Sequence, residues 1–425
     1  MKKKKVFKGF WWLPERPKKL IPGTVNFDPQ GKIVLELIGN LHEDENLLIF
    51  HSKRRAELIY GIDSSHVKIS LLYCSVTNHD KSYRSNFSLT TYRIQFILYG
   101  IHLLNINEKI FYKLNFNTDK LNKWFLRSNY KNSYTFNSNN QISKFSISYD
   151  SSVDKFLFNV QIDNNFSIEI LSNSWQNENE FDDISIHQIY LIKISTIKAI
   201  TFFEFLEKAE RLNLFFELAF ASKVSFINLS IFNFQNNQEE LKNESITVYY
   251  NRVSFLRENA QYDRPIFNFQ MIEKKFDKIL CNWMEIDSKL LPILNYLVKS
   301  FQNDYFFDPS NFMIVVNALE GFHRRFRDKK ENKDKVEIPL KDRLNSLVNE
   351  FNSIRNFKRL KFNTFLISRN RHYYSHFYEK DFKYLYEMQD LINITFDLRK
   401  LLYCCVLREI GFDDELLNMI NLELL

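Results

Sequence analysis

The period of the hydrophobic pattern changes along this chain, and the change limits the folds open to it. Over the first part of the chain, short runs alternate apolar and polar side chains between turn residues, as at Ile33–Leu41. Alternation of this kind is typical of strands that bury one face. From Phe267 onward, apolar residues recur at helical spacing, which predicts amphipathic helices. The sequence therefore predicts an α+β protein with a β-rich part ahead of an all-α part.

These patterns predict two domains joined by a linker. A β-rich, sandwich or barrel-like domain with one added helix is expected at 1–256, a linker at 257–266 and a helical bundle at 267–425. In the first domain, strands are predicted at 23–27, 33–41, 67–74, 92–98, 144–149, 156–162, 166–171 and 245–250, and the helix at 201–220. In the second, helices are predicted at 276–283, 288–302, 310–327, 340–351, 362–377, 381–410 and 413–422.

Composition excludes several classes of function. The chain has only 8 glycines and neither a GxGxxG nor a GxxxxGK[ST] run, so nucleotide binding through these loops is not expected. Its four cysteines lack CxxC spacing, which argues against a disulfide framework or a zinc knuckle. No apolar run of signal-peptide or membrane-spanning length follows the basic residues Lys2–Lys5, so we expect a cytoplasmic protein with no membrane partner. The net charge of +7 is compatible with a polyanionic partner.

One segment near the C-terminus combines the residue types needed to cut RNA without a metal. His376 follows Arg371 with four residues between and Arg369 with six, whereas none of the other histidines has an arginine at these spacings. A histidine can transfer protons at neutral pH. An arginine can hold the scissile phosphate and the charge that develops on it. Neighbouring tyrosines such as Tyr373 can stack on bases.

Helical geometry and spacing favour different arginines. On a continuous helix, residues seven apart lie on nearly one face, so Arg369 aligns with His376 while Arg371 lies about 140° away. Arg369 and His376 also fall on an apolar stripe that includes Phe365 and Phe377 and should face a core or a partner. A charged arginine on such a stripe has to be paired or to lie at an interface.

Two other interpretations of this segment stay open. His376 can be an ordinary interface histidine, with arginines that are solvated or salt-bridged. His372 and His376 are four apart, which is the spacing of a metal-binding pair on a helix. Because no HExxH motif and no third ligand accompany them, we predict no metal site and no cofactor.

The C-terminal part resembles HEPN domains, and most closely the ApeA-like HEPN proteins of bacterial anti-phage defence. Their motif resembles Arg-Asn-x-x-Thr-His, which aligns with Arg371-His372-Tyr373-Tyr374-Ser375-His376. His372 replaces the usual Asn and Ser375 replaces Thr. An upstream helical glutamate often supports such sites, and Glu320 is the best match. The alternative for Glu320 is a solvated or salt-bridged carboxylate on the surface of a helix.

The N-terminal part resembles the domain that precedes the HEPN domain in ApeA. The resemblance rests on three short motifs in the right order and spacing, which are Gly9–Pro14, Pro22–Val25 and Leu35–Gly39. Within the first motif, core or edge packing is the favoured role for Trp11 and Trp12, because aromatic residues mostly supply buried area. Together the two resemblances cover most of the chain.

The resemblance implies an abortive-infection effector that acts as a metal-independent HEPN endoribonuclease and cuts cellular RNA, with tRNA as one candidate. It implies catalytic roles for Arg371, His376 and Glu320, and supporting or RNA-binding roles for Arg369, Asn370, His372 and Tyr373. A homodimer through the HEPN domain and a phage protein as trigger at the N-terminal domain are implied in the same way. The alternatives are a catalytically silent HEPN module that binds nucleic acid, and a pure protein- or glycan-interaction protein.

Overall fold

The computed structural model describes the chain in fourteen stretches that form two compact units. The described residues are 4–29, 32–42, 55–82, 87–128, 130–149, 157–179, 183–233, 245–251, 264–286, 289–301, 309–328, 338–355, 357 and 360–425. The first unit takes in Met1–Leu121, Ser128–Arg211 and Ser225–Val253, and the second Asn122–Arg127, Leu212–Val224 and Ser254–Leu425. Most of the linker expected at 257–266 lies outside the described residues. The predicted α+β class, with a β-rich part ahead of a helical part, is confirmed.

The first unit is built mainly from strands that pair antiparallel with one another. They are β1 (Lys5–Trp12), β2 (Ile21–Phe27), β3 (Ile33–Ile38), β4 (Arg55–Asp63), β5 (Lys68–Ser82), β6 (Phe87–Ile94), β7 (Phe96–Tyr99), β8 (Phe111–Thr118), β9 (Tyr130–Phe136), β10 (Ile142–Tyr149), β11 (Phe158–Gln161), β12 (Phe166–Asn179), β13 (Asp183–Ile200), β14 (Phe226–Phe232) and β15 (Ile246–Tyr250). Among the described residues, thirteen of them form one sheet, while β9 and β10 form a separate hairpin.

Six of these strands close into a barrel. The pairing runs β1–β2–β3–β6–β5–β4 and returns from β4 to β1, so the closed part has no free edge. The indole of Trp11 is fully buried in the core of this barrel. Gly61 leaves room for it, because a Cβ there would lie 2.2 Å from Cε3 of the indole. The packing role favoured for Trp11 therefore agrees with its place in the core.

The second unit is helical over most of its described length. Its helices are α3 (Phe269–Ile272), α4 (Phe276–Met284), α5 (Leu291–Ser300), α6 (Pro309–Phe326), α7 (Leu340–Glu350), α8 (Thr364–His376), α9 (Met388–Glu409) and α10 (Asp414–Met419). Two earlier helices are α1 (Leu121–Phe125) and α2 (Phe202–Phe220), and most of α1 and the second half of α2 belong to this unit. No helix among the described residues combines the length and apolar character needed to cross a membrane.

Aromatic packing explains why residues outside 267–425 join the helical unit. The indole of Trp124 on α1 lies edge-on to the rings of Phe215 and Phe216 on α2, at centroid distances of 5.9 and 5.2 Å. It lies 5.7 Å from Phe269 on α3. Offset and edge-to-face ring pairs of this kind add to the free energy gained from buried area. The core of the helical unit therefore includes residues of α1 and α2, two segments that the sequence pattern assigned to the β-rich domain.

The helix α8 carries the arginine–histidine segment, and its two ends are set by local capping. Asn363 caps its start, with its side-chain oxygen accepting a hydrogen bond from the Leu366 backbone N–H at 3.1 Å. Phe377 ends it in the left-handed conformation, at φ 56°, and its N–H donates to the Tyr373 carbonyl at 2.6 Å. The chain then reverses into a 3₁₀ segment, Glu379–Tyr384, before α9 begins. This reversal brings residues 379–384 back against α8.

Candidate active site on helix α8

The predicted site residues Arg369, Arg371, His372 and His376 all lie on one continuous helix. The residues that α8 buries are Thr364, Ile367 and Asn370. The apolar stripe expected to include Phe365 and Phe377 is not the buried side of the described protein, because both rings are exposed. The helix therefore turns a side rich in charged and aromatic groups away from the core.

Asn370 is one predicted site residue that does not face solvent. Its side chain is fully buried. The side-chain amide donates to the carbonyls of Leu366 and Tyr384 at 2.8 and 2.9 Å, and its oxygen accepts from the Tyr386 N–H at 3.0 Å. A buried amide with these partners ties the helix to the segment that follows it. Asn370 therefore supports the site as part of its scaffold, and its predicted RNA contact does not fit its burial.

Arg371 faces helix α6 and its glutamate. Nη2 of Arg371 lies 3.3 Å from Oε2 of Glu320, whose other oxygen accepts from Nη2 of Arg324 at 2.7 Å. Nε of Arg371 is buried without a hydrogen-bond partner in the described part of the chain. The Glu320 carboxylate thus holds the guanidinium from one side and leaves a buried donor unused. Such a donor is costly unless a ligand or a second chain satisfies it.

Arg369 and His372 face a different carboxylate, that of Asp381 in the 3₁₀ segment. Nη1 of Arg369 lies 3.2 Å from one oxygen of Asp381, and Nδ1 of His372 lies 2.5 Å from the other. The Asp381 side chain is only 1% exposed. The hydrogen bond from His372 lowers the pKa of Asp381 below its ordinary value, and the charges of His372, Arg369 and Lys380 act in the same direction. Asp381 is therefore ionised at neutral pH, and Nδ1 of His372 is the donor.

His376 is surrounded by rings. Its imidazole lies 5.0 Å from the ring of His372, at 60°, and stacks on Tyr378 at 5.4 Å and 25°. None of the hydrogen bonds found between described residues joins His376 to Arg369 or to Arg371. Tyr378 is 49% exposed, and two rings next to Tyr373 are exposed as well, Phe377 by 69% and Phe382 by 67%. Exposed rings of this kind are surfaces on which unpaired bases stack.

Tyr373, predicted to contact RNA, belongs to the same group of rings. Its ring lies 5.8 Å from that of Phe377 and 6.3 Å from that of Phe382. Within the described residues, no three His, Cys, Asp or Glu side chains are placed to share a metal ion. This face carries imidazole, guanidinium and carboxylate groups next to aromatic rings.

Sequence reasoning missed Asp381, although it takes part in two contacts at this site. The pattern from 381 to 410 predicted one long helix with Asp381 at its start, whereas α9 begins at Met388 and Asp381 lies in the 3₁₀ turn before it. A helical pattern of apolar residues does not reveal that the chain reverses at a residue in the left-handed conformation, here Phe377. The one available signal was an acidic residue shortly after a cluster of cationic groups, which is too common a pattern to single out a site.

Comparison with known protein families agrees with the resemblances found in the sequence. A family model of ApeA N-terminal domain 1 matches residues 6–283, and one of Apea-like HEPN matches residues 313–416, a stretch that contains Glu320, α8 and Asp381. No curated protein and no solved structure gave a significant match. HEPN domains are associated with RNase activity, and these two domains together support an anti-phage defence HEPN protein. Since the first match alone spans more than half of its length, the chain belongs to the ApeA family, with an ApeA N-terminal domain followed by an HEPN domain.

Proposed function

We propose that this protein is a metal-independent endoribonuclease that cuts cellular RNA during anti-phage defence, with tRNA as the first substrate to test. In the proposed reaction, the ribose 2′-OH attacks the adjacent phosphate and leaves a 2′,3′-cyclic phosphate and a 5′-OH end. His376 acts in proton transfer. Arg371, oriented by Glu320, stabilises the charge that develops on the phosphate. Arg369 and Tyr373 bind the RNA.

One observation carries this proposal. A single helix presents two arginines and two histidines, each arginine is paired with its own carboxylate, and the exposed ring of Tyr378 lies beside both histidines. A purely structural helix gains little from this grouping, because exposed cations and aromatic rings add nothing to a core. Cations together with stacking rings match the phosphates and bases of single-stranded RNA.

A two-fold dimer fits the placement of Arg371. On a continuous helix this residue lies about 140° from His376, so one copy of α8 does not direct both side chains at one phosphate. A two-fold interface duplicates every residue and can set Arg371 of one subunit beside His376 of the other. The Arg371 side chain is 30% exposed, so it is open in part to a second subunit. We therefore propose a homodimer through the HEPN domain.

For the N-terminal domain we propose a sensing or restraining role, with a phage protein as the trigger. Within its described residues, no cluster of His, Cys, Asp and Glu suited to a metal is found. The barrel core is formed mainly by apolar side chains. These features favour a binding or scaffolding role for this domain over a second catalytic centre.

The decisive experiment incubates the purified protein with total RNA in the presence of EDTA, with and without a lysate of phage-infected cells. The wild type should produce fragments with 2′,3′-cyclic phosphate and 5′-OH ends. His376→Ala should lose cleavage by roughly 10²-fold or more while keeping the far-UV circular dichroism of the wild type. The matched control is His187→Ala, which removes an exposed histidine of the first unit and should cleave normally.

Four outcomes would contradict the proposal. Undiminished cleavage by the His376 variant would exclude its catalytic role, and loss of cleavage on adding EDTA would exclude a metal-independent reaction. RNA binding without cleavage in a gel shift, by wild type and variant alike, would support a silent binding module. The absence of RNA affinity at any salt concentration would favour an interaction protein, because phosphate contacts weaken steeply with salt.

A further inference from the structure

The residue that follows Arg371 differs chemically from its counterpart in the motif. ApeA-like HEPN motifs resemble Arg-Asn-x-x-Thr-His, and this chain has His372 in the Asn position. An asparagine side chain donates and accepts hydrogen bonds but does not transfer protons at neutral pH. A histidine does all three. The replacement therefore adds a second group capable of acid–base chemistry four residues before His376.

The contacts of His372 resemble those of a general base held by a carboxylate. Nδ1 donates to the buried Asp381 at 2.5 Å, which fixes the tautomer and leaves Nε2 as the acceptor. None of the hydrogen bonds between described residues engages Nε2. The ring is about one third exposed, at 35% of the side chain, so Nε2 is accessible to a ligand. A carboxylate in this position also stabilises the imidazolium that forms once a proton is taken up.

The second ring is close enough to act on the same phosphate. The centroids of His372 and His376 are 5.0 Å apart. Cleavage by 2′-OH attack needs a base at the attacking oxygen and an acid at the leaving 5′ oxygen, which lie on opposite sides of one phosphorus. Two imidazoles on one helix face, four residues apart, are suited to reach both oxygens.

Resting on the function proposed above, we infer that His372 is a second catalytic residue, the general base, and that Asp381 is its positioning residue. Nε2 of His372 takes the proton of the 2′-OH as that oxygen bonds to phosphorus. The bond from phosphorus to the 5′ oxygen breaks, and protonated His376 gives its proton to that oxygen. The products are a 2′,3′-cyclic phosphate and a 5′-OH end. One proton has passed from His376 to His372, and exchange with water restores both rings.

Several charged or titratable groups face His372. On its own helix these are Arg369 and His376, and in the segment packed against it they are Asp381, Lys380 and the phenol of Tyr378. Arg369 shares the Asp381 carboxylate, and its guanidinium also lies 5.3 Å from the ring centroid of Phe365. Asp381 therefore orients an arginine and a histidine together. Replacing Asp381 should alter catalysis through His372 and RNA binding through Arg369.

The test compares His372→Asn, Asp381→Asn and His376→Ala by single-turnover cleavage across pH. His372→Asn installs the residue of the family motif and keeps a hydrogen-bond donor for Asp381, so it should fold like the wild type. The substrate is a short synthetic RNA that contains the cut site mapped with total RNA. A second version carries a sulfur in place of the bridging 5′ oxygen, because a thiolate leaves without needing an acid.

The wild type should give a bell-shaped profile whose acidic limb reports the base and whose alkaline limb reports the acid. His372→Asn should cut at least roughly 10²-fold more slowly than the wild type. Its pH–rate profile should lack the acidic limb, and the sulfur substrate should not restore its rate. His376→Ala should lose the alkaline limb and be rescued by sulfur. At saturating RNA, the cleavage rate of Asp381→Asn should lie between those of wild type and His372→Asn. Combining the two changes should then slow cleavage little more than His372→Asn alone, because Asp381 acts on the chemical step through His372 and its effect through Arg369 is on RNA binding.

The outcomes separate this inference from the function on which it rests. If His372→Asn keeps the wild-type rate and bell shape while His376→Ala is inactive, His372 only takes the place of asparagine and the inference is wrong, with the nuclease intact. Rescue of His372→Asn by sulfur, without rescue of His376→Ala, would overturn the assignment of base and acid. If the wild type cuts no RNA, both proposals fall.

Discussion

The two sides of helix α8 are organised around two carboxylates in different surroundings. Glu320 is 14% exposed at its side chain and is shared between Arg371 and Arg324. Asp381 is 1% exposed and is shared between Arg369 and His372. Both carboxylates pair with a cation of the motif, but only Asp381 also holds a histidine. The Asp381 side is therefore suited to proton transfer, and the Glu320 side to holding one guanidinium in place.

This difference predicts different tasks for the two arginines. Arg369 lies against the aromatic rings of Phe365 and Tyr384 as well as Asp381, which stabilises it as part of the surface. Arg371 pairs with Glu320 and its side chain is 30% exposed, so its guanidinium can also contact a phosphate. The contrast can be tested by removing the members of each pair in turn.

The largest expected effect is a difference in cleavage rate between variants of the two arginines. Arg371→Ala should reduce cleavage by about 10²- to 10³-fold, because it removes a donor to the charge that develops on phosphate. Arg369→Ala should reduce it by about tenfold, mainly through weaker RNA binding and a less ordered Asp381. Single-turnover rates at saturating and subsaturating RNA separate the two effects. The opposite ranking would make Arg369 the phosphate-stabilising residue.

Mixing two inactive variants tests whether the arginine comes from a second subunit. Arg371→Ala and His376→Ala dimers, combined and allowed to exchange subunits, should recover up to about a quarter of wild-type activity. Half of the dimers are then mixed, and one of their two sites is complete. Variants carrying both substitutions serve as the control and should recover none. No recovery despite proven subunit exchange would place Arg371 and His376 in the same subunit.

The next largest difference concerns stability. Asp381→Ala should lower the urea midpoint at pH 7 more than Glu320→Ala, because the Asp381 carboxylate is 1% exposed and solvent replaces its hydrogen bonds less readily than those of Glu320, which is 14% exposed. Glu320→Ala should cost about 1 kcal/mol, since its ion pairs are partly exposed and Arg324 and Arg371 regain some solvent. Urea unfolding followed by circular dichroism measures both. Equal losses would mean that Asp381 contributes no more than a surface carboxylate.

A smaller effect should appear only in acid. Because its native pKa is lowered, Asp381 contributes stability that is fully present above the unfolded value of about 3.9 and is lost as pH falls through the native pKa. The difference in unfolding free energy between wild type and Asp381→Asn should therefore shrink as the pH falls below about 4. Urea titrations at a series of pH values test this, and a difference that stays constant in acid would contradict it.

The smallest expected effect is a gain in stability from a substitution next to Glu320. A Cβ added at Gly321 would meet no atom within 4 Å, so Gly321→Ala should stabilise α6 by roughly 0.5–1 kcal/mol without changing cleavage. Gly411→Ala is the contrasting control, because the φ of +108° at Gly411 disfavours any side chain and the change should destabilise. Loss of cleavage by Gly321→Ala would show that the Glu320 side tolerates less change than its packing indicates.

Much of the helical unit could be predicted because its elements are periodic and locally bounded. The helix predicted at 362–377 is found at Thr364–His376, and the one predicted at 340–351 at Leu340–Glu350. Asn363 is a local cap that a sequence pattern can anticipate. The domain limits, the dimer and the individual roles of the site residues stay predictions.

What could not be predicted depends on contacts between distant residues. Closure of the barrel needs β5 and β6 to pair while β4 returns to β1, and alternation along one strand does not specify its neighbours. The long strand β13 (Asp183–Ile200) was missed. The packing of Trp124 in the helical unit and the pairing of Arg371 with Glu320 likewise depend on tertiary contacts. The contact of Asp381 with His372 is close in sequence but depends on a left-handed Phe377, which no periodicity reveals.

The turn at Phe377 also affects the order in which the contacts of the site form during folding. His372 and Asp381 are separated by only 9 positions and Arg369 and Asp381 by 12, whereas Arg371 and Glu320 are 51 apart. Contacts of low sequence separation form with a small loss of chain entropy, so they tend to form early in folding. The contacts of Asp381 with Arg369 and His372 should therefore form early, before the more distant contacts of α8. The guanidinium of Arg371, which we propose stabilises the phosphate, would be fixed only after α6 has docked, so its pairing with Glu320 should be a late step of folding.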